Sequence, residues 1–182
     1  MSAKTLSIAL TVPLVAAALG AAFAAPASAQ TCNVAGKAQC ANTTMNWQVK
    51  AHDNLKGSNF KGAKLKGADF RNANLTKANF KGAVLTSADF RNANLTKVNF
   101  TGAKLKYADF TGATMTKAQL TKAKSSNANF TGVSLQKSKL KNGNFENSNF
   151  YGADLTGANL AGSNQVPPPP PFGPQTKAKV TT

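Results

Sequence analysis

The chain has 182 residues, of which 22 are Lys or Arg and only 6 are Asp or Glu, so its formal net charge is +16. Its two cysteines and one histidine lack the partners and spacing of a zinc site, and the sequence contains no Ser/His/Asp set and no phosphate-binding glycine loop. We therefore expect a non-enzymatic protein with no cofactor and no bound metal, whose surface is strongly basic.

Residues 1–29 have the features of a secretory signal peptide. Lys4 precedes an apolar stretch at 6–24, and the small residues at 27–29 fit a cleavage motif. The mature chain would begin at Gln30 and be exported, to the periplasm or the medium, with 21 basic residues against 6 acidic ones. We expect no integral membrane span after cleavage. An uncleaved anchor is the alternative, although the apolar stretch is barely long enough to cross a bilayer.

Residues 30–50 contain both cysteines, Cys32 and Cys40. In an oxidising compartment two such cysteines are expected to form a disulfide that closes a small loop, with a stabilisation of about 2–3 kcal/mol in the chain-entropy account. Solenoid ends expose an apolar core and unpaired strand edges. We therefore predict that this segment is an N-terminal cap on the repeat domain that follows.

A large apolar residue recurs at every fifth position over 55–160, and Ser125 is the one exception. A period of five fits neither the 3.6 of a helix nor the 2.0 of a strand, so it predicts a backbone that turns a corner every five residues. A second period is visible because residues 71–80 return almost unchanged as 91–100. Four sides of five residues then make one coil, and residues 51–165 make a solenoid of about five and a half coils.

These units closely resemble the pentapeptide-repeat family, whose A-(D/N)-L-x-x units form a right-handed quadrilateral β-helix. The motif is matched by Ala68-Asp-Phe, Ala73-Asn-Leu, Ala88-Asp-Phe and Ala153-Asp-Leu. The Asp/Asn slot holds lysine instead at Lys64, Lys104, Lys124 and Lys139. The resemblance implies an all-β fold in which the central Leu or Phe, and the Ala two places earlier, point to the axis of a narrow and filled tube.

The central residues predict continuous core ladders that rise by about 4.8 Å per coil. Two of these ladders are Phe70, Phe90, Phe110, Phe130 and Phe150, and Leu75, Leu95, Met115 and Leu135. In a third ladder Ser125 stands between Leu105 and Phe145. We expect the bulky Phe145 to fill the volume that Ser125 leaves open, and a hydroxyl-lined pocket is the alternative.

Lysines follow the same period of 20 and give two candidate anion-binding columns. The first column is Lys77, Lys97, Lys117 and Lys137, and the second contains Lys64, Lys104 and Lys124. Charges stacked about 4.8 Å apart repel by about 1 kcal/mol even in water, so a polyanion lying along the rod would relieve that repulsion. A solvated face that keeps the protein soluble is the simpler interpretation.

The acidic residues are arranged differently. Asp69, Asp89 and Asp109 stack beside Arg71 and Arg91. We expect this side of the rod to neutralise itself by ion pairs between coils, each worth well under about 1 kcal/mol. A cation site made of the three carboxylates is the alternative.

Residues 166–182 form a Pro-rich tail that includes five consecutive prolines. Proline cannot donate ladder hydrogen bonds, so the β-helix must stop here. We predict an extended polyproline rod and a disordered end. The rod serves either as a spacer or as a docking motif for an aromatic-lined groove.

Two functions stay open. The first is a structural or interaction scaffold of the cell envelope that holds a protein or polymer partner on a rigid surface. The second is a basic polyanion binder that acts on nucleic acid, anionic lipid head groups or acidic glycan. Some pentapeptide-repeat proteins resemble DNA and protect topoisomerases, but such mimicry requires an acidic rod. The sequence identifies neither a partner nor an oligomeric state.

Overall fold

The structure is a computed structural model that describes residues 40–42 and 54–164. The predicted signal peptide, most of the predicted cap and the Pro-rich tail lie outside the described residues. Within the described part there is no helix, and no strand is longer than a single bridged residue. Each five-residue unit contributes one bridge residue, from Asn54 through every fifth position to Asn164, followed by a two-residue turn.

The bridges are parallel and join residues that are 20 positions apart, as in Asp69 to Asp89 and Asp89 to Asp109. A coil therefore has four faces, which confirms the predicted fold. We name the faces by their central residues: face 1 includes Leu75 and Leu95, face 2 Phe80 and Phe100, face 3 Leu85 and Leu105, and face 4 Phe90 and Phe110. The two residues after each central residue form the corner that leads to the next face.

Backbone hydrogen bonds between coils hold the faces in register. The N–H of Phe70 donates to the carbonyl of Asp89 at 2.7 Å, and the N–H of Asp89 donates back to the carbonyl of Ala68 at 2.9 Å. Each corner is closed by a β-turn, as where the N–H of Ala73 donates to the carbonyl of Phe70 at 3.2 Å. These bonds satisfy most of the backbone of a tube whose interior is mainly apolar. Buried serines supply a few further partners, as where Ser138 Oγ donates to the carbonyl of Met115 at 2.7 Å.

The Asp/Asn slot of the motif has a local structural role. The side-chain oxygen of Asn94 accepts a hydrogen bond from the N–H of Thr96 at 3.1 Å, and Asp109 does the same for Thr111 at 2.9 Å. A short side chain with an acceptor two residues before the corner favours this kind of turn. Lysine in the same slot, as at Lys104, has no acceptor to offer.

The last residue of each unit adopts a left-handed backbone. Its φ lies between 54° and 69° at every corner of the repeat domain. Ten of these residues are glycine and five are asparagine, the types that tolerate this conformation best. The remaining seven are Lys77, Lys97, Lys117, Lys122, Lys137, Ser87 and Tyr107.

The core is a solid stack of side chains. The ladder residues Phe70, Phe90, Phe110, Phe130, Phe150, Leu75, Leu95, Met115 and Leu135 are all buried. Rings of one face stack, as Phe90 on Phe110 at 5.0 Å with an interplanar angle of 2°. Rings of the opposite face meet them edge-on, as Phe100 meets Phe110 at 5.9 Å. Stacked and edge-to-face pairs are the favoured aromatic geometries, so the interior is filled and ordered.

The one irregular ladder involves three residues. Ser125 is buried, and its Oγ has no hydrogen-bond partner among the described residues. Phe145, one coil further on, is also buried and meets Phe130 edge-on at 5.9 Å. Its ring lies against Gly143, where an added Cβ would come within 2.4 Å of Phe145 Cε2. Part of the room that the large ring needs is therefore supplied by a glycine in its own coil.

Cys40 and Asn42 continue the register of the β-helix. The N–H of Cys40 donates to the carbonyl of Asn59 and that of Asn42 to the carbonyl of Lys61, both at 2.7 Å. Phe60 and Gly62 make the same bonds one coil later. Residue 40 was predicted to belong to the cap, but it occupies a central position of face 2, 20 residues before Phe60, and is fully buried. No free cysteine occurs among the described residues, and the disulfide with Cys32, which lies outside them, stays a prediction.

Candidate polyanion-binding surface

The lysines occupy one side of the rod. Every lysine of residues 54–164 lies on face 2, on face 3, or on one of the three corners that bound these two faces. We call this surface the basic side. The acidic residues Asp69, Asp89 and Asp109 lie on face 4 and Asp154 on face 1, whereas Glu146 lies at the edge of the basic side. The rod therefore has two electrostatically different sides, a property that the sequence columns alone did not reveal.

The first predicted column stands at the corner between faces 1 and 2. Lys77, Lys97, Lys117 and Lys137 are all exposed, and we call these four residues the Lys column. Their φ values are 61°, 59°, 59° and 55°. A left-handed backbone costs a residue with a Cβ roughly 1–2 kcal/mol relative to its ordinary conformation. The equivalent corner positions in the coils before and after the Lys column are glycines, Gly57 and Gly157. Folding alone would therefore favour glycine or asparagine at these four positions.

The second predicted column lies on the flat part of face 3. Lys104 and Lys124 are bridge partners in adjacent coils, and Val84 separates Lys104 from Lys64. All three lysines are exposed. A lysine side chain has no oxygen that could accept a hydrogen bond from the N–H of the corner. These three lysines therefore add positive charge to the basic side but do not help to form the turn.

Eight further lysines of the basic side fall outside both columns and were not among the predicted binding residues: Lys56, Lys61, Lys66, Lys81, Lys106, Lys122, Lys139 and Lys141. Lys122 is exposed at the corner between faces 2 and 3, with a φ of 57°. Lys139 is exposed on face 2, where it bridges Gln119. Assigning every basic residue to a face, rather than only those that repeat at 20, would have found them.

Face 4 carries a ladder of ion pairs. Arg71 Nη2 lies 2.6 Å from Asp69 Oδ2, and Arg71 Nε donates to Asp69 Oδ1 at 2.9 Å, so this pair is bidentate. Arg91 pairs with Asp89 in the same way, at 2.6 Å. The contacts between coils are longer, 3.7 Å from Arg71 to Asp89 and 4.0 Å from Arg91 to Asp109. The expected ion pairs between coils are therefore present, but the shorter pairs join residues two positions apart within one coil.

These ion pairs shift the pKa values of the residues that form them. The hydrogen bonds from the Arg71 side chain hold the pKa of Asp69 below its usual range, against an opposing effect of partial burial. Asp69 in turn raises the pKa of Arg71, mainly through the same hydrogen bonds. Both groups stay charged near neutral pH, so face 4 neutralises most of its own charge.

Among residues 40–42 and 54–164 there is no cluster of three His, Cys, Asp or Glu placed to hold a metal ion.

In the described part of the chain, two large aromatic side chains are exposed. Tyr107 is 54% accessible at the corner between faces 3 and 4, and Tyr151 is 44% accessible at the corner between faces 4 and 1. The Nζ of Lys106 lies 4.7 Å from the centre of the Tyr107 ring, a cation–π contact.

No helix in the described part of the chain is long and apolar enough to cross a bilayer.

Comparison with known proteins gives the family. A model of pentapeptide repeats matches residues 54–92, 93–124 and 128–164 in eight copies, and thus leaves out the unit around Ser125. The matched segments cover more than half of the chain, which belongs to the pentapeptide-repeat family. The four-sided tube is therefore a right-handed quadrilateral β-helix.

Two solved structures of one protein support this assignment. Two trypsin-treated variants of QnrB1, a plasmid-mediated fluoroquinolone resistance protein, match with TM-scores of 0.63 and 0.58 at 32% and 30% identity. Each match covers 67% of this chain and 62% of the QnrB1 chain. Rfr23, a pentapeptide repeat protein from the cyanobacterium Cyanothece 51142, matches with a TM-score of 0.42 at 27% identity, over 55% of this chain and 54% of that one. The comparison with curated proteins found no match.

Proposed function

We propose that the protein is a non-enzymatic scaffold, exported to the cell envelope, that holds a protein or polymer partner on the outer surface of its β-helix. The filled core is the observation that carries this proposal. The central side chains of successive coils touch, as where Phe70 stacks on Phe90 at 5.0 Å, and leave no room for a small molecule on the axis. Recognition must then use surface ladders, which stand at fixed positions because the coils are locked in register.

Export is the part of this proposal that rests on residues 1–29 alone. Cells that produce the full chain are fractionated, and the N-terminus of the purified protein is determined by mass spectrometry. We expect a chain that begins at Gln30 in the periplasm or medium. Alkylation without reductant should also find no free thiol. An intact N-terminus in the cytoplasm, or two free thiols in the exported fraction, contradicts export or the disulfide respectively.

A second candidate function is polyanion binding, and the backbone of the Lys column favours it. Four exposed lysines occupy left-handed positions that glycine would occupy at lower cost. A local conformation that costs stability and recurs on one corner is a reason to look for function there. Nucleic acid, anionic lipid head groups and acidic glycan all offer the repeated negative charges that this column fits.

The test is salt-dependent binding of the mature chain to heparin, double-stranded DNA and anionic vesicles. A variant with Gln at all four positions of the Lys column is compared with one that carries Gln at Lys66, Lys141, Lys177 and Lys179, which loses the same charge from scattered sites. We expect the column variant to lose much more affinity. We also expect the parent's affinity to fall steeply with salt, because several counterions are released on binding.

The two candidates give different results. If the column variant binds every polyanion as tightly as the parent at low salt, the Lys column is not the binding surface and the backbone argument for it fails. If the parent shows no affinity for any of the polyanions, polyanion binding is wrong and the scaffold must read shape. Neither result affects the fold, since none of the four lysines contributes to the core.

A further inference from the structure

Tyr107 is the bulkiest residue that occupies a left-handed corner of the described repeat region. Its φ is 60°, and a bulky residue in the left-handed region is a rare exception. Its N–H donates to the carbonyl of Ser126 at 3.3 Å, whereas the equivalent bonds of Ser87 and Asn127, one coil before and after, measure 2.9 and 2.8 Å. The tyrosine is therefore held at a position that loosens its own contact with the next coil.

The surroundings leave the Tyr107 ring open and place cations beside it. Its neighbours in the same column are the short residues Ser87 and Asn127, which cannot cover a ring, and 54% of Tyr107 is accessible. Lys106 holds its ammonium 4.7 Å from the ring centre, and Lys104 is on the adjoining face of the same coil. Tyr151 has no such setting, because its flanking residues are Phe150 and Gly152 and it lies away from the basic side.

We propose that Tyr107, with Lys104 and Lys106, forms a subsite for one uronic acid residue of an acidic glycan. The negative face of an aromatic ring attracts the weakly positive C–H groups on one face of a pyranose. Lys106 lies over one face of the ring, so the sugar would stack on the other face. Its carboxylate would pair with the ammonium of Lys104 or Lys106. The proposal rests on the second candidate function and names its ligand class, since the rest of the glycan chain would extend along the basic side.

The arrangement favours a glycan over single-stranded nucleic acid. Proteins that bind single strands stack successive bases on several aromatic side chains along a basic groove. In the described part of this chain, the exposed large aromatics are Tyr107 and Tyr151. They stand on different corners, more than two coils apart, and cannot stack neighbouring bases. One ring amid many cations fits a polymer in which charge supplies most of the affinity and a single sugar is recognised.

The experiment measures binding of the full mature chain to a galacturonic acid hexamer by calorimetry at low salt. The test variant is Tyr107→Asn, because Asn127 holds the same position one coil later and Asn tolerates a left-handed backbone. The matched control is Tyr151→Thr, since Thr131 is its column neighbour. We expect the dissociation constant to rise about fivefold or more for Tyr107→Asn and to stay unchanged for Tyr151→Thr. The melting temperature of Tyr107→Asn should equal or exceed that of the parent, so that lost binding is not lost folding.

Three results would overturn the subsite. An unchanged dissociation constant in Tyr107→Asn, an equal loss in Tyr151→Thr, or equal affinity for the uncharged methyl-ester form of the hexamer would each do so. Preferential binding of a single-stranded dT hexamer that depends on Tyr107 would reassign the site to nucleic acid. If Lys-column variants weaken heparin binding while Tyr107→Asn has no effect on the hexamer, the subsite falls and the polyanion function stands. If the parent binds no polyanion, both fall.

Discussion

The side-chain oxygen of Asn92 lies over Gly112, one coil further along, at the place where a Cβ of residue 112 would stand. An added Cβ would lie 2.5 Å from that oxygen. The same relation joins Asn42 to Gly62 and Asn142 to Gly162. At these three places the asparagine side chain occupies space that the glycine one coil later leaves open, whereas Asn72 and Asn127 are followed one coil later by another asparagine.

Gly112→Ala should destabilise the protein more than Gly132→Ala. Both glycines have a positive φ, 69° and 65°, so each alanine bears a left-handed cost of about 1 kcal/mol. Only the alanine at 112 meets Asn92, whereas nothing lies within 4 Å of an added Cβ at 132. We expect the clash to add about 1 kcal/mol or more. Thermal unfolding of both variants measures the difference, and equal losses would mean that Asn92 moves aside freely.

Phe110→Ala should cost about 3–5 kcal/mol. The ring is fully buried and stacks on Phe90 and Phe130, at 5.0 and 4.9 Å. Its removal leaves a cavity that neighbouring coils cannot close without breaking their ladder bonds. Phe110→Leu is the milder control, because leucine fills the equivalent positions of face 1. Denaturant unfolding checks the order, and a loss below about 1 kcal/mol for alanine would contradict the tight packing described above.

Gly143→Ala should be destabilising even though most other units have alanine at this place. The added Cβ would come within 2.4 Å of Phe145 Cε2 and within 2.9 Å of its Cζ, and a buried ring has little freedom to move. We expect a loss of about 1–3 kcal/mol. The double variant with Phe145→Leu should recover much of it, since leucine is smaller. If the loss of stability in the double variant equals the sum of the losses in the two single variants, the two residues do not interact. Gly143 would then be present for another reason.

Lys97→Gly should stabilise the protein by up to about 1 kcal/mol, because glycine relieves a left-handed lysine at some entropic cost. Lys97→Gln removes the same charge and keeps the backbone cost, so its stability should stay near that of the parent. Melting temperatures of the two variants separate the backbone effect from the charge effect. If both variants are equally stable, the left-handed cost at this corner is negligible and the backbone argument for a functional Lys column fails.

Arg71→Gln should raise the pKa of Asp69 towards its usual value. The pKa of Asp69 is lower in the folded chain than in the unfolded one, chiefly because Arg71 donates to its carboxylate. The stabilisation from ionised Asp69 is then fully present above about pH 4, the pKa of an unfolded aspartate. It is lost as the pH falls through the lower, folded pKa. NMR titration of Asp69 gives the direct measurement, and an unchanged pKa in Arg71→Gln would show that the cause lies elsewhere.

The fold could be predicted from the sequence because one chemical signal, the apolar central residue, repeats at every fifth position with Ser125 as the one exception. What the sequence analysis missed depends on backbone geometry. The left-handed corners are foreshadowed by frequent Gly and Asn at the last position of each unit, yet Lys97 and Tyr107 conceal the pattern. Cys40 stands 20 residues before Phe60 and could have been assigned to the ladder of Phe60 and Phe80 on face 2. The contact between Gly143 and Phe145 depends on the direction in which the Phe145 ring points, and the spacing of residues in the sequence does not reveal that direction.

The uniform length of the coils allows this rod to grow by duplication. Every bridge from Asn54 to Asn164 joins residues 20 apart, with no insertion. Copying any 20 consecutive residues in place therefore preserves each ladder, each corner and the division into two charged sides, while the rod lengthens by about 4.8 Å. The near repetition of residues 71–80 in 91–100 is what such an event leaves behind. The length of the exposed surface can therefore change during evolution by one coil at a time, through duplication or deletion of 20 residues.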